Sequence, residues 1–210
     1  MATKSYPKDR TALLFIDPYN DFLSEGGKMW PLVQTVAEKV HLIENLRAIT
    51  AAIRQAGIQI FIAPHRRWQP GDFENWDHPT PYQIEGAKIQ LFAVGSWGGE
   101  WHPDFAPQPG DILAKEHWGG SSFANTDLNF LLRQKGITNL IVIGLLANTC
   151  VETTSRYAVE LGYQVTLVKD ATSTFSEDRM HSAHELNGPT YAHAILTTAE
   201  LLAALPKAAS

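Results

Sequence analysis

The stretch Thr11-Ala-Leu-Leu-Phe-Ile-Asp-Pro18 decides the fold. An uncharged, almost wholly apolar run stopped by Asp-Pro reads as a β-strand buried on both faces, as central parallel strands are. Downstream, Val36, Val40, Ile43, Leu46, Ile49 and Ile53 recur at three- and four-residue steps. Gly57 follows where a helix would end, so one helix is predicted there. Ile58–Ala63, closed by Pro64, reads as a second strand, and the βαβ spacing implies a right-handed crossover to a parallel neighbour. Residues 64–110 are rich in Pro, Gly, Trp and His and carry no sustained period, so they are expected to form irregular walls or a lid over a site.

The alternation then resumes. Asp111–Ala114 reads as a strand, and a helix carrying Leu128, Leu131 and Leu132 follows, with Asn125 or Thr126 as its N-cap and Gly136 as its stop. Leu140–Ile143 is the next strand, Cys150–Leu161 a helix ended by Gly162, and Tyr163–Val168 a further strand. Ser176 caps a helix that runs to Gly188-Pro189, Ala194–Leu196 is a short last strand, and Thr197-x-x-Glu200 is a capping box opening the final helix. Repeated βα units with near-continuous apolar strands predict an α/β fold of three layers. Its mainly parallel six-stranded sheet has helices on both faces, in a single domain over residues 1–210.

Composition narrows the function. The chain has 210 residues, 44% of them apolar, with 17 Lys+Arg against 22 Asp+Glu and a net charge of -5. No basic run suggests nucleic acid or an anionic membrane surface as a partner. The single Cys excludes an internal disulfide framework and a cysteine-rich structural zinc site, and fits a reducing compartment. With no apolar leader and no apolar stretch of about 18 residues, the expected location is the cytoplasm.

Ligands of parallel sheets collect beyond the carboxyl ends of the strands, so reactive side chains just past those ends are the candidates. Asp17 follows the first strand, Lys115 the third, and Cys150 the fourth by way of Gly144-Leu-Leu-Ala-Asn-Thr149. Asp before Pro is also a common turn former, a strand-end Lys is often merely solvated, and a lone Cys is often a small buried hydrophobe. Cys150 differs because a place in the first helical turn would favour its thiolate and lower its pKa. An acid, a cation and a thiol at one sheet edge point to a cysteine-dependent hydrolase or transferase.

These residues resemble the isochorismatase-like cysteine hydrolase family. The likeness is carried by Leu14-Phe-Ile-Asp17 with Asn20-Asp21-Phe22, and by Ser122-Phe-Ala-Asn-Thr-Asp-Leu128. It continues in Val142-Ile-Gly-Leu-Leu-Ala-Asn-Thr-Cys-Val151 with Thr153, then in Gly162-Tyr-Gln-Val and Lys169-Asp-Ala171. The resemblance implies a Rossmann-like sheet, homodimers or homotetramers, and an Asp-Lys-Cys triad of Asp17, Lys115 and Cys150. It implies hydrolysis of small amides, ureides or related C–N bonds through a thioester, with no cofactor. It also implies an oxyanion hole from the N–H groups of Ala147 and Cys150, with a cis peptide between Leu146 and Ala147.

Two departures stand out. The family's lysine lies six residues before the Phe of the Ser-x-Phe block, and from Phe123 that spacing falls on His117. Lys115 is preferred on chemistry, as a permanent cation, with His117 as the alternative. Nicotinamidases of the family carry Asp-x-His after the second strand, whereas here Ala63-Pro64-His65-Arg66-Arg67 stands there, so no metal is expected.

Pocket walls are expected from Phe22, Trp30, Trp97, Trp118 and Phe123. Such walls suit a neutral or partly apolar acyl group, while His65, Arg66 and Arg67 would suit a carboxylate; the sequence leaves both open. Two other functions remain as alternatives, an isochorismatase-type vinyl ether hydrolase and a redox-sensing thiol protein, although no second Cys is present to resolve an oxidised one.

Overall fold

The computed structural model describes residues 5–206. Six parallel strands form one sheet in the order β3-β2-β1-β4-β5-β6. They are β1 (Thr11–Ile16), β2 (Gln59–Ala63), β3 (Ile112–Leu113), β4 (Asn139–Leu145), β5 (Gln164–Ser173) and β6 (Ala194–Leu196). Pairing is parallel throughout, with Ile16 opposite both Ala63 and Gly144. The order reverses direction beside β1, and this is the place where a doubly wound sheet opens a crevice at its carboxyl edge.

The three layers follow from the period-2 alternation of strand side chains. Leu13 and Phe15 of β1 join Ile60, Ile62, Ile141 and Ile143 on one face. That face is covered by α2 (Trp30–Lys39), α3 (Leu42–Gln55) and α8 (Thr198–Ala204), which contribute Val33, Leu46, Ile49, Ile53 and Leu201. Ala12, Leu14 and Ile16 point to the opposite face with Phe61, Leu140 and Val142. There α5 (Leu128–Gln134) and α6 (Glu152–Glu160) bring Leu128, Leu132 and Ala158. Burying both faces of β1 explains why its sequence is continuously apolar instead of alternating.

The structure departs from the expected elements in several places. The helix expected from Val36 to Ile53 is two helices, α2 and α3, because His41 adopts a left-handed backbone with φ 54° and turns the chain between them. The third strand is shorter than Asp111–Ala114, and β5 runs five residues past Val168. Cys150 lies not in an ordinary α-turn but in a wider π-turn, Ala147–Val151, that leads into α6. Within residues 64–110 sit α4 (Pro81–Lys88), opened by a Thr80–Gln83 capping box, and two short 3-10 turns. The predicted Ser176 cap and the Thr197–Glu200 capping box are present, at α7 (Glu177–His181) and α8. The chain before α5 is held by the Thr126 hydroxyl, which accepts the Leu128 N–H at 3.3 Å, with Asp127 at the cap position itself. Among the described residues, no helix is long and apolar enough to cross a membrane.

Candidate active site

Three strand ends converge. Asp17 ends β1 with a left-handed φ of 56°, and its N–H donates to the Ala63 carbonyl at the end of β2. Such a conformation is uncommon outside glycine, and Asp is among the few side chains that tolerate it. Next to it, β4 reaches the same edge through Gly144, whose φ is 113°. A Cβ at Gly144 would meet the Ile16 backbone carbonyl, so only glycine lets β4 pass this close to β1. The π-turn beyond β4 then presents Cys150. On the other side, His117 is held past the end of β3 by a parallel bridge to His65. The His117 N–H donates to Pro64 and the Arg66 N–H to the His117 carbonyl.

The result is a buried trio. A carboxylate oxygen of Asp17, a ring nitrogen of His117 and the Cys150 sulfur lie within 4.8 Å of one another. Asp17 and His117 are 0% exposed and Cys150 8%. His117 Nε2 is 3.0 Å from Asp17 Oδ1, and its Nδ1 is 2.6 Å from the Gly119 carbonyl oxygen. With Asp17 ionised, both ring nitrogens face oxygens that can only accept, an arrangement that favours the doubly protonated imidazolium. Burial alone lowers the His117 pKa, but the Asp17 charge and the bonds to Asp17 and Gly119 outweigh it and hold the pKa above the usual value. The second Asp17 oxygen, Oδ2, is buried and has no hydrogen-bond partner.

The Cys150 thiol behaves opposite to the sequence expectation. Burial pushes its pKa well above the usual value, and the Asp17 negative charge pushes further in the same direction. The start of the helix does not overcome desolvation in a dry pocket beside a carboxylate. The resting sulfur is therefore a neutral thiol that needs a base, and the Asp17 carboxylate stands beside it.

Lys115 takes no part in this cluster. Its side chain is exposed, and its backbone N–H donates to Asp127 Oδ1 at 2.8 Å. The cis peptide also differs from expectation, since it joins Leu145 to Leu146, one residue ahead of Leu146–Ala147. Ala147 is buried in the same turn as Cys150.

Cys150 and His65 open onto a cavity of about 320 Å³. Of the five expected wall residues only Phe22 lines it. Trp30 packs against the α2–α3 core, Phe123 is buried against Tyr157 and Tyr163, and Trp97 is 49% exposed. Trp118 lies in an adjoining cleft, where the Arg66 guanidinium stacks over its ring 4.5 Å from the centroid. The walls come instead from Met29, Trp68, Phe73, Leu91, Phe92 and Leu146, with Asn148 and Thr149 from the turn that holds Cys150 and Thr153 from α6. Trp68, Phe73, Leu91 and Phe92 were missed because they belong to the 64–110 stretch without periodicity. One signal was legible in part, since Asp21 stands in the quoted Asn20-Asp21-Phe22 block. Asp21 is 1% exposed and accepts the N–H groups of Lys28 at 3.0 Å and Phe92 at 2.8 Å, tying two walls together.

A divalent cation fits the trio poorly. His117 Nδ1 faces the Gly119 carbonyl and donates, so a cation could be met only by Nε2 and only by giving up the His117–Asp17 hydrogen bond. Asp72 is likewise committed, to Arg66.

Comparison with known proteins places the chain. Residues 11–200 match the model of the isochorismatase domain. Ureidoacrylate amidohydrolase RutB of Yersinia enterocolitica is 33% identical over 200 residues, covering 89% of this chain and 85% of the relative. Among solved structures, a cysteine hydrolase from Pseudomonas syringae pv. phaseolicola superposes with a TM-score of 0.79 at 23% identity, covering 98% of each chain. N-carbamoylsarcosine amidase from Thermoplasma acidophilum gives a TM-score of 0.69 at 24% identity, covering 90% of this chain and 96% of that one. At those identities the two structures show a common fold and no more. The domain match over nearly the whole chain and the 33% relative go further: this chain belongs to the isochorismatase domain family.

Proposed function

We propose that the protein is a metal-independent cysteine hydrolase that cleaves the C–N bond of a small amide or ureide through a Cys150 thioester. The observation that carries this reading is the buried trio of Asp17, His117 and Cys150, of which Cys150 opens onto the cavity. Kinship with ureidoacrylate amidohydrolase supports the bond type.

In the proposed cycle, Asp17 takes the Cys150 proton as the sulfur attacks the carbonyl carbon, and a C–S bond forms. His117, as an imidazolium, compensates the Asp17 charge and orients the carboxylate before attack, the role the family resemblance gives to a lysine. The oxyanion of the tetrahedral intermediate is received by the N–H groups of Ala147 and Cys150. The C–N bond then breaks as protonated Asp17 returns its proton to the leaving nitrogen, which departs as ammonia or an amine. Water, deprotonated by Asp17, attacks the thioester. The acid is released and Cys150 regains its proton.

The raised thiol pKa favours this order over attack by a preformed thiolate. It also disfavours the redox-sensing alternative, because peroxide reacts with thiolates and this sulfur rests as a buried thiol. The test is replacement of Cys150 by Ala and of Asp17 by Asn in an assay of ammonia release from small amides. Both variants are expected to lose turnover, and treatment of the wild type with a chelator is expected to leave it unchanged. Retained turnover in either variant would overturn the reading.

A further inference from the structure

The cavity contains a cation, yet that cation is already spent. Arg66 is the arginine of the lining and, with His65 and Arg67, one of the three groups that would suit a substrate carboxylate. Its Nε and Nη2 make a two-pronged pair with Asp72 at 3.1 and 3.0 Å, its Nη1 reaches Glu116 Oε2 at 3.5 Å, and its face is covered by Trp118. The neighbouring Arg67 is engaged in turn by Glu116, at 2.6 Å from Nε. Arg66, Arg67, Asp72 and Glu116 thus form a closed cluster of two positive and two negative charges with no net charge to offer. A planar guanidinium paired with a carboxylate on one edge and stacked on an indole has little left for a second anion.

The other groups at the cavity repeat this pattern. His65 Nδ1 donates to the Arg66 carbonyl at 2.9 Å, leaving Nε2 as an acceptor. Burial and the nearby His117 charge hold the His65 pKa below its usual value, so the ring is neutral at pH 7. The His117 charge is matched by Asp17. Most of the cavity's surface is apolar, with Thr80, Gln83, Asn148, Thr149 and Thr153 as uncharged polar groups, and the volume of about 320 Å³ is at the small end of ligand sites.

Resting on the hydrolase reading above, we infer that the substrate is an uncharged carboxamide with a compact apolar acyl group, about the size of one ring or a branched four- to six-carbon chain. Anionic ureido acids are excluded. An anion here would be desolvated against apolar walls with no free cation to meet it, which costs orders of magnitude in affinity. The Asp72–Arg66 pair acts as a specificity-determining lock. The chain thereby departs in substrate from its curated relatives while keeping their bond type.

The experiment uses the full chain and matched probes. Initial rates of ammonia release are compared for benzamide, isovaleramide and an ω-ureido carboxylate. In parallel, benzamide and benzoate are titrated calorimetrically into the Cys150→Ala protein. The neutral amides are expected to lead the anion by about 100-fold in kcat/KM, and benzamide to bind while benzoate does not. Asp72→Asn, which gives the cluster one net positive charge, is expected to improve the ratio of anionic to neutral substrate by about 10-fold or more. Glu116→Gln makes the same change of charge and provides the answer should Asp72→Asn fail to fold. Preference for the ureido carboxylate in the wild type, or tighter binding of benzoate than benzamide, would overturn the inference while leaving the hydrolase reading in place. Binding of benzamide over benzoate with no amide hydrolysed would sink the hydrolase reading and leave the charge inference standing.

Discussion

Replacing His117 and Lys115 separately tells the two candidates for the third catalytic position apart. The Asp17 carboxylate is 0% exposed, and His117→Ala removes the partner of Oδ1 while Oδ2 has none to begin with. Breaking a buried charge pair by removing one member typically costs about 3–5 kcal/mol, because the surviving charge is left uncompensated. The carboxylate also loses the hydrogen bond that orients it as the base that Cys150 needs. Loss of general-base function typically lowers the rate by about 10² to 10⁴. The expected outcome for His117→Ala is thus a fall of that size in kcat/KM together with a clear drop in the urea midpoint. Lys115→Ala removes an exposed side chain and leaves the backbone bond to Asp127 untouched, so stability should change by less than about 0.5 kcal/mol and activity by less than about two-fold. Steady-state kinetics on a hydrolysed amide and urea denaturation of both proteins make the comparison. A Lys115→Ala protein as impaired as His117→Ala, or a His117→Ala protein with full turnover, would refute the assignment.

Other outcomes follow from the same geometry. Activity should fall on the alkaline side as His117 loses its proton. Its folded pKa lies above the unfolded value of about 6.5, so the stability it contributes is complete below that value and is lost as pH rises through the folded one. A pH–rate profile without an alkaline limb would contradict this. His184 titrates the other way. Its Nε2 is hydrogen-bonded with the Thr172 hydroxyl at 2.8 Å, its Nδ1 is buried without a partner, and burial pulls its pKa down to about 4. The unfolded chain therefore binds the extra proton first. As pH falls from about 6.5 to 4 the wild type should lose up to about 3 kcal/mol that His184→Gln does not lose, measured as the difference between their urea midpoints across that range. Gly144→Ala should destabilise the fold severely, because its Cβ meets the Ile16 carbonyl and its φ is positive; an unchanged melting temperature would show that β1 and β4 can part. Asp21→Ala strands the Lys28 and Phe92 N–H groups, at an expected cost of about 1–3 kcal/mol, and should raise KM through the loosened Phe92 wall.

The layers of this molecule were legible because they rest on burial, which the sequence states directly. A continuous apolar run such as Leu13 to Ile16 has few solutions other than a covered parallel strand. What was not legible depends on local backbone turns and on desolvation. His41, a polar residue at φ 54°, breaks a helix whose apolar spacing runs on unbroken across it. Cys150 sits at a helix start as expected, but the sign of its pKa follows from how dry the site is and from Asp17, which only the assembled edge reveals. The choice between Lys115 and His117 shows the limit of reasoning from residue type. Family spacing from Phe123 pointed to His117, while permanent charge pointed to Lys115. A buried imidazole with an acceptor at each nitrogen is itself a cation, so the chemical objection to His117 disappears once Gly119 and Asp17 are in place. The cavity walls were least legible, because Trp68, Phe73, Leu91 and Phe92 belong to a segment held by specific bonds such as those of Asp21 and not by any repeat.

The central claim is a covalent acyl group on Cys150, and partitioning by hydroxylamine tests it most directly. Two substrates that share an acyl group but differ in leaving nitrogen are turned over at one fixed hydroxylamine concentration, and the ratio of hydroxamate to free acid is measured. A common thioester predicts hydroxamate in the same ratio from both substrates, because both pass through one intermediate after the nitrogen has left. Ratios that depend on the leaving group, or acid alone with no hydroxamate, would contradict it.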